Sequence, residues 1–154
     1  MKHNLFSEVF SSMLNLENLL TTHSQKLMIP SEKVAHVQVG NSLEHALLVL
    51  TKSGYTAIPV LDPHYKLHGL ISTPIIMESI LGLERIEYEK LEQSRVEEVM
   101  NKKIPHLKIN AHLQDMMQLL VDHPFLCVEN DEGFFEGILT RRAVLGLIND
   151  ALHN

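Results

Sequence analysis

The sequence predicts an α+β fold in which one β-α-β-β-α unit is written twice in tandem. Three observations predict it. Gly69 to Ile76 reads GLISTPII and Gly137 to Val144 reads GILTRRAV, so a glycine, two aliphatic residues and a hydroxyl residue recur 68 residues apart. Upstream, VAHVQV (Val34 to Val39) lies over IPHLKI (Ile104 to Ile109) at an offset of 70, with Leu43 and Leu50 over Leu113 and Leu120. After a two-residue deletion, Ile58-Pro59-Val60 lies over Leu126-Cys127-Val128 and Asp62 over Asn130. Hydrophobic character is kept at matched positions while surface residues differ, as expected of a duplicated unit.

The elements follow in order. Residues 1–25 form an N-terminal helical extension, because Leu5, Val9, Met13, Leu16 and Leu20 recur at helical spacing. The stretch from 4 to 21 contains no Lys or Arg, which favours packing on the repeats or a second subunit over a membrane surface. The first repeat, residues 26–83, opens with an alternating segment through Val34, Val37 and Val39. Asn41 is expected to cap the next helix, Glu44 completing a capping box, with Leu43, Ala46, Leu47 and Leu50 on its buried face. AIPVL and LHGLI are strands about an Asp62-Pro63 turn, and a helix from Thr73 to Leu81 closes the unit. Residues 84–98 are a charged helical linker, its charges forming either a solvated face or a partner surface.

The second repeat, residues 99–154, has the same parts. Ile104, Leu107 and Ile109 mark its first strand, and Leu113, Met116, Met117 and Leu120 the buried face of its first helix. FLCVE and FFEGIL flank Asn130-Asp131-Glu132-Gly133, where Asn and Asp bond their own backbone and Gly supplies positive φ. The last helix is expected from Thr140 to Ala151.

Composition narrows the function. A net charge of -6 over 154 residues argues against indiscriminate binding to nucleic acid or anionic membrane. No apolar run approaches the roughly 18 residues needed to span a bilayer. The apolar N-terminus is interrupted by Ser7, Glu8, Ser11, Ser12, Asn15 and Glu17, unlike a secretory signal. The single cysteine, Cys127, excludes an internal disulfide and fits a reducing cytoplasm, the expected location. Its place in FLCVE predicts a buried, inert thiol. Ten histidines raise the question of a metal, but His64 and His68 flank a turn, and His36 and His106 are equivalent repeat positions. No HExxH, CxxC, GxSxG, P-loop or GxGxxG pattern occurs, so neither a metal site, a cofactor nor an enzyme is expected.

Two β-α-β-β-α units, each with Gly-aliphatic-aliphatic-Ser/Thr before its last helix, resemble a CBS-domain pair, or Bateman module, over residues 26 to 150. The resemblance implies a disc with two clefts for adenosine-containing ligands, and pairing of discs into a homodimer. The family motif continues as Ser/Thr-x-x-Asp, the Asp holding ribose hydroxyls; here those positions are Ile75 and Ala143. The runs KVAHVQVGNSLEHALLVLTKSGYTAIPVLDP, GLERIEYEKLEQ and CVENDEGFFEGILTRRAVL resemble the stand-alone CBS-pair proteins of Gram-positive bacteria that bind cyclic di-AMP, the DarB or CbpB type. That resemblance implies a non-enzymatic sensor whose apo form engages a Rel-type (p)ppGpp synthetase and hydrolase, and which cyclic di-AMP withdraws from that partner. AMP, ADP, ATP or S-adenosylmethionine is the alternative ligand, and a ligand-independent interaction module the alternative role.

Cyclic di-AMP carries two phosphodiester charges and two flat bases, so its site needs cations, an apolar slot and groups to read an adenine edge. Arg141 and Arg142 lie in the first turn of the last helix, where free N–H groups and the helix dipole already favour an anion. Cations are unfavourable there for the isolated helix, which implies a missing negative partner. The alternative is pairing with Glu129 or Glu132. Thr140 either caps this helix or meets phosphate or ribose. In CBS pairs the segment of Lys33, Ala35 and His36 lies along a cleft, where its backbone can read an adenine edge and a small Ala35 permits close approach; strand packing and a solvated Lys33 are the alternatives. Tyr55, Thr56 and Ala57 lie at a strand end facing the same cleft in that family, Tyr55 stacking on a base or serving as an ordinary core aromatic. His123-Pro124 replaces Tyr55-Thr56 in the second repeat, and Thr73-Pro74 replaces Arg141-Arg142 in the first. This asymmetry predicts one functional cleft per chain.

Overall fold

Period-two and helical apolar patterns become two mixed sheets, each carrying helices. The computed structural model of the chain describes residues 5–11, 18 and 27–153. Repeat 1 comprises β2 (Val37–Gln38), α1 (Leu43–Ser53), β3 (Ala57–Leu61), β4 (Leu67–Ser72) and α2 (Thr73–Ile80). It is preceded by β1 (Ile29–Pro30) and a 3-10 turn, Ser31–Lys33. Two single turns, α3 (Lys90–Gln93) and α4 (Val96–Val99), lead to repeat 2. That repeat has β5 (His106–Lys108), α5 (Leu113–Asp122), β6 (Phe125–Glu129), β7 (Phe135–Thr140) and α6 (Arg141–His153). In each repeat the first strand runs parallel to the second across an intervening helix, and the second and third form an antiparallel hairpin.

The sheets are stitched together by exchanged edges. β1, which precedes repeat 1, adds to β7 of repeat 2, with Pro30 opposite Gly137, giving the order β1-β7-β6-β5. Reciprocally, Asn101, which precedes the first strand of repeat 2, exchanges hydrogen bonds of 2.8 and 2.9 Å with Leu70 of β4. Both glycines of the repeated phrase lie beneath these crossings. A Cβ at Gly137 would stand 2.1 Å from Ile29 O, and one at Gly69 only 2.6 Å from Met100 Sδ. The repeated glycine therefore answers to close backbone approach.

Three apolar clusters result. Leu43, Ala46, Leu50, Ile58, Ile71 and Ile76 fill the first repeat; Leu120, Leu126, Val128, Leu139 and Val144 fill the second. Val34, Leu61, Leu70, Cys127, Phe135 and Ile138 join the two. Each fully buried aliphatic side chain contributes about 1.5–3 kcal/mol. Cys127 is in the junction, where burial foremost, and the Glu129 charge next, push its thiol up to about 12. Such a thiol is protonated and inert at neutral pH.

The hairpin turns show the duplication atom by atom. Asp62 Oδ1 accepts from His64 and Lys66 N–H at 2.8 and 3.0 Å, as Asn130 Oδ1 accepts from Glu132 and Phe134 N–H at 3.0 Å each. Tyr65 has φ 65° where Gly133 has φ 86°. His68 Nε2 lies 2.9 Å from Asp62 Oδ2, and this contact foremost lowers the Asp62 carboxyl to about 2. His68 is thus engaged by a carboxylate.

Several expectations are corrected. Ser42, not Asn41, caps α1, accepting from His45 N–H at 3.1 Å. Asn41 Oδ1 instead accepts from Gln38 N–H at 2.8 Å, closing the preceding turn. The first strands, β2 and β5, are shorter than their alternation predicts. The charged linker is not one solvated helix. It bends into two turns, buries Val96 completely in the first core and packs Leu91 and Val99 there. Val96 N–H donates to Asn41 O at 2.9 Å and Leu43 N–H to Ser94 O at 3.1 Å, so backbone pairing holds it against α1. In the N-terminal extension residues 5–11 are helical, with Leu5, Phe6, Val9 and Phe10 exposed. Met13, Leu16 and Leu20 lie outside the described residues, as does the side chain of Leu113. Among the described residues no helix is long and apolar enough to cross a membrane.

Candidate functional site

The exchanged β1 carries residues 31–36 across repeat 2 and so creates a cleft between the repeats. The 3-10 turn is closed by Val34 N–H donating to Ser31 O at 3.1 Å, and Val34 is anchored in the junction core. Ala35 follows, half-buried at the cleft. Gly54, with φ 74°, ends α1 in the left-handed conformation that glycine tolerates, and turns the chain so that Tyr55 precedes β3. Opposite, Phe125 pairs with Thr140 across β6 and β7, and Arg141 N–H donates to Pro124 O at 2.9 Å. The cleft is open to solvent, and its empty space, open solvent included, is about 370 Å³. Val34, Ala35, Tyr55, Ala57 and Pro59 line it from repeat 1, Pro124, Phe125, Ile138 and Thr140 from repeat 2.

Four expected site residues, Ala35, Tyr55, Ala57 and Thr140, meet in this one cleft. Thr140 Oγ1 accepts from Ala143 N–H at 3.1 Å, which makes it the helix cap. Its hydroxyl hydrogen remains available to an acceptor. Lys33 and Thr56 are exposed beside the cleft lining and are not part of it. His36 is also outside the lining: its Nδ1 donates to Val34 O at 3.0 Å, and its ring meets Tyr65 edge-on at 5.5 Å. His106 makes the equivalent bond to Ile104 O at 2.9 Å, so this histidine pair belongs to the repeat.

The two arginines separate. Arg141 Nε donates to Leu120 O at 2.7 Å and its Nη2 to Val121 O at 3.2 Å. It neutralises the last carbonyls of α5, the electronegative end of that helix, with two of its five N–H donors. Arg141 thus has a structural part that the expectation of a paired arginine site did not include. The proposed carboxylate partners are not used either, since Glu129 lies 3.6 Å from Lys108. Arg142, one residue on, is exposed at the start of α6, and among the described residues its side chain has no hydrogen bond or ion pair. No group of three His, Cys, Asp or Glu placed to hold a metal occurs among the described residues.

Sequence reasoning missed Pro59, Pro124, Phe125 and Ile138 as cleft residues, while Val34 falls within the segment expected along the cleft. The repeat correspondence held the signal: Phe125 and Pro124 are the counterparts of Ala57 and Thr56.

A family model described as the CBS domain matches residues 26–82 and 96–150. The chain belongs to the CBS-domain family. The CBS pair and its α+β architecture, expected from the duplicated phrase, are confirmed. This CBS pair is 60% identical over 136 residues to Cyclic di-AMP receptor B of Bacillus subtilis (strain 168), the match covering 88% of this chain and 92% of that protein. It is 55% identical to the CbpB protein of Listeria monocytogenes solved in complex with c-di-AMP, with a TM-score of 0.80, covering 85% of this chain and 98% of that one. A second structure of CbpB in complex with c-di-AMP is 33% identical, with a TM-score of 0.80, covering 93% of this chain and 95% of the other. These relatives are a receptor and ligand-binding CBS proteins.

Proposed function

We propose that this CBS pair is a cyclic di-AMP receptor, a non-enzymatic sensor that works as a homodimer. The observation that carries the reading is the inter-repeat cleft, apolar within, with the exposed Arg142 two residues beyond Thr140 of its lining at the start of α6. One adenine enters the slot between Ala35, Ala57 and Phe125, with Tyr55 stacking on the base or donating its hydroxyl. Phosphate lies at the α6 N-terminus, met by the Arg142 guanidinium and backbone N–H, with the Thr140 hydroxyl as a further donor. Lys33, His36 and Thr56 extend the site at its rim, and Arg141 supports it from behind by fixing α6 to α5. Ile75 and Ala143 replace the acidic ribose clamp, which disfavours mononucleotides and S-adenosylmethionine.

The regulated partner is a Rel-type (p)ppGpp synthetase and hydrolase, engaged by the ligand-free form. Cyclic di-AMP can displace it only by preferring the free receptor to the complex, and the partner must weaken ligand binding by the same factor. A thermal-shift panel tests the ligand. Cyclic di-AMP is expected to raise the melting temperature in a concentration-dependent way, while AMP, ADP, ATP and S-adenosylmethionine do not. Shifts with mononucleotides alone would overturn the assignment; no shift with any of them would leave a ligand-independent interaction module. Co-elution with the Rel-type enzyme, lost on adding cyclic di-AMP, tests the partner.

A further inference from the structure

α2 ends at Ile80 after eight residues, whereas α6, its counterpart in the second repeat, has thirteen. In place of further helix, repeat 1 puts out a hairpin. Leu81 bridges Ile86, Gly82 N–H donates to Arg85 O at 2.8 Å, and Glu87 N–H donates to Ile80 O at 2.7 Å. Leu83 and Glu84 are left at the tip. Ile80 anchors the base in the interior. Gly82 fits the turn because a Cβ there would stand only 2.9 Å from Arg85 O. On the returning side Arg85 meets Glu89 through two parallel N–H donors, and its Nη1 also donates to Ile86 O at 3.2 Å. What this tied hairpin presents is apolar. Leu83 is wholly exposed at the tip, and Leu81 and Tyr88, on either side of it in the chain, are more than half exposed. One exposed leucine is ordinary. Three large apolar side chains within eight residues, on a turn that its own bonds hold in shape, have no part in the fold's core.

The surrounding charge selects what can cover them. Residues 78–98 hold seven acidic residues against three basic ones, four of the six net negative charges of the chain. Glu78, Glu84 and Glu92 are exposed, and among the described residues none of them has an ion pair. A second copy meeting this surface across a two-fold axis would set carboxylates against carboxylates. A protein with an apolar pocket rimmed by Lys or Arg matches both the knob and its charge.

We propose that the hairpin of residues 81–86 is the docking knob for the protein partner, Leu83 filling an apolar pocket whose basic rim meets Glu84 and its acidic neighbours. This rests on the reading of the ligand-free form as a partner-binding regulator and adds the surface it uses. No residue of the hairpin lines the inter-repeat cleft. Because the hairpin is already tied in shape, docking orders little of it.

The test uses the full chain, the purified Rel-type enzyme and two variants, Leu83→Ser and Leu83→Asp. A wholly exposed side chain contributes little to folding, so both melting temperatures should stay within about 2 °C of the wild type. Affinity for the enzyme should fall at least about 10-fold in Leu83→Ser and further in Leu83→Asp. Cyclic di-AMP affinity should stay within about twofold. Wild-type association should slow as salt is raised, since the acidic rim steers it. Undiminished affinity for the enzyme in either variant overturns the proposal and leaves the partner reading standing. An association rate that salt leaves unchanged overturns the basic rim. Light scattering completes the test: variants that lose the enzyme by falling from dimer to monomer overturn the proposal and make the hairpin an interface between copies. A wild type that does not bind the enzyme overturns the partner reading as well.

Discussion

Replacing Ala57 with Phe is expected to lower cyclic di-AMP affinity by at least about 100-fold while the CBS pair stays folded. Ala57 is part of the wall of the cleft, opposite Pro124, Phe125 and Thr140 of the other repeat. A phenyl ring there would occupy the slot assigned to adenine. The strand itself can carry the ring, because the fold already does so at the equivalent position. Phe125 faces Thr140 in β6–β7 just as Ala57 faces Ser72 in β3–β4. Overpacking a half-buried site costs about 1–3 kcal/mol, so the ligand-free melting temperature should fall by no more than about 10 °C. Titration calorimetry with a parallel melt separates the two effects. Wild-type affinity in a folded Ala57→Phe protein would remove this cleft as the adenine site.

The second large effect distinguishes the neighbouring arginines. Arg142→Ala should weaken cyclic di-AMP binding about 10- to 100-fold, the worth of a charge-assisted phosphate contact, and leave stability within about 0.5 kcal/mol. Its side chain is exposed and, among the described residues, holds nothing in the protein. Arg141→Ala should show the reverse order of effects. It strips the Leu120 and Val121 carbonyls of their donor and should destabilise the fold by about 1–3 kcal/mol, with a smaller loss of affinity. Equal affinity losses and equal melting temperatures in the two variants would contradict this division of labour.

What was legible in the sequence follows from what the sequence physically encodes. Apolar periodicity and the Asp62 and Asn130 turns are local, so the duplicated unit could be read directly. The glycines at 69 and 137 were visible as repeated, but their cause was not. It lies in crossings by Met100–Asn101 and Ile29, segments that precede the first strand of the opposite repeat. A two-residue edge strand such as β1 has too short a pattern to announce its partner. The linker misled because its many charges outweigh one valine, although Val96 is wholly buried. Arg141 could not be told from Arg142 because its partners are backbone carbonyls, which leave no trace in residue identity. Ala35, Tyr55 and Ala57 were expected at a cleft from the family resemblance and Thr140 from its place at a helix start, and the structure brings the four together.

Titration calorimetry of the full chain with cyclic di-AMP tests the central claim most directly, that this duplicated fold has one working cleft. Pro105, His123, Phe125 and Pro74 stand in repeat-equivalent places to Ala35, Tyr55, Ala57 and Arg142, so the two halves cannot offer the same chemistry. The expected isotherm has a single class of sites at one cyclic di-AMP per chain. Two equal sites per chain, or no binding heat together with no thermal shift, would contradict it.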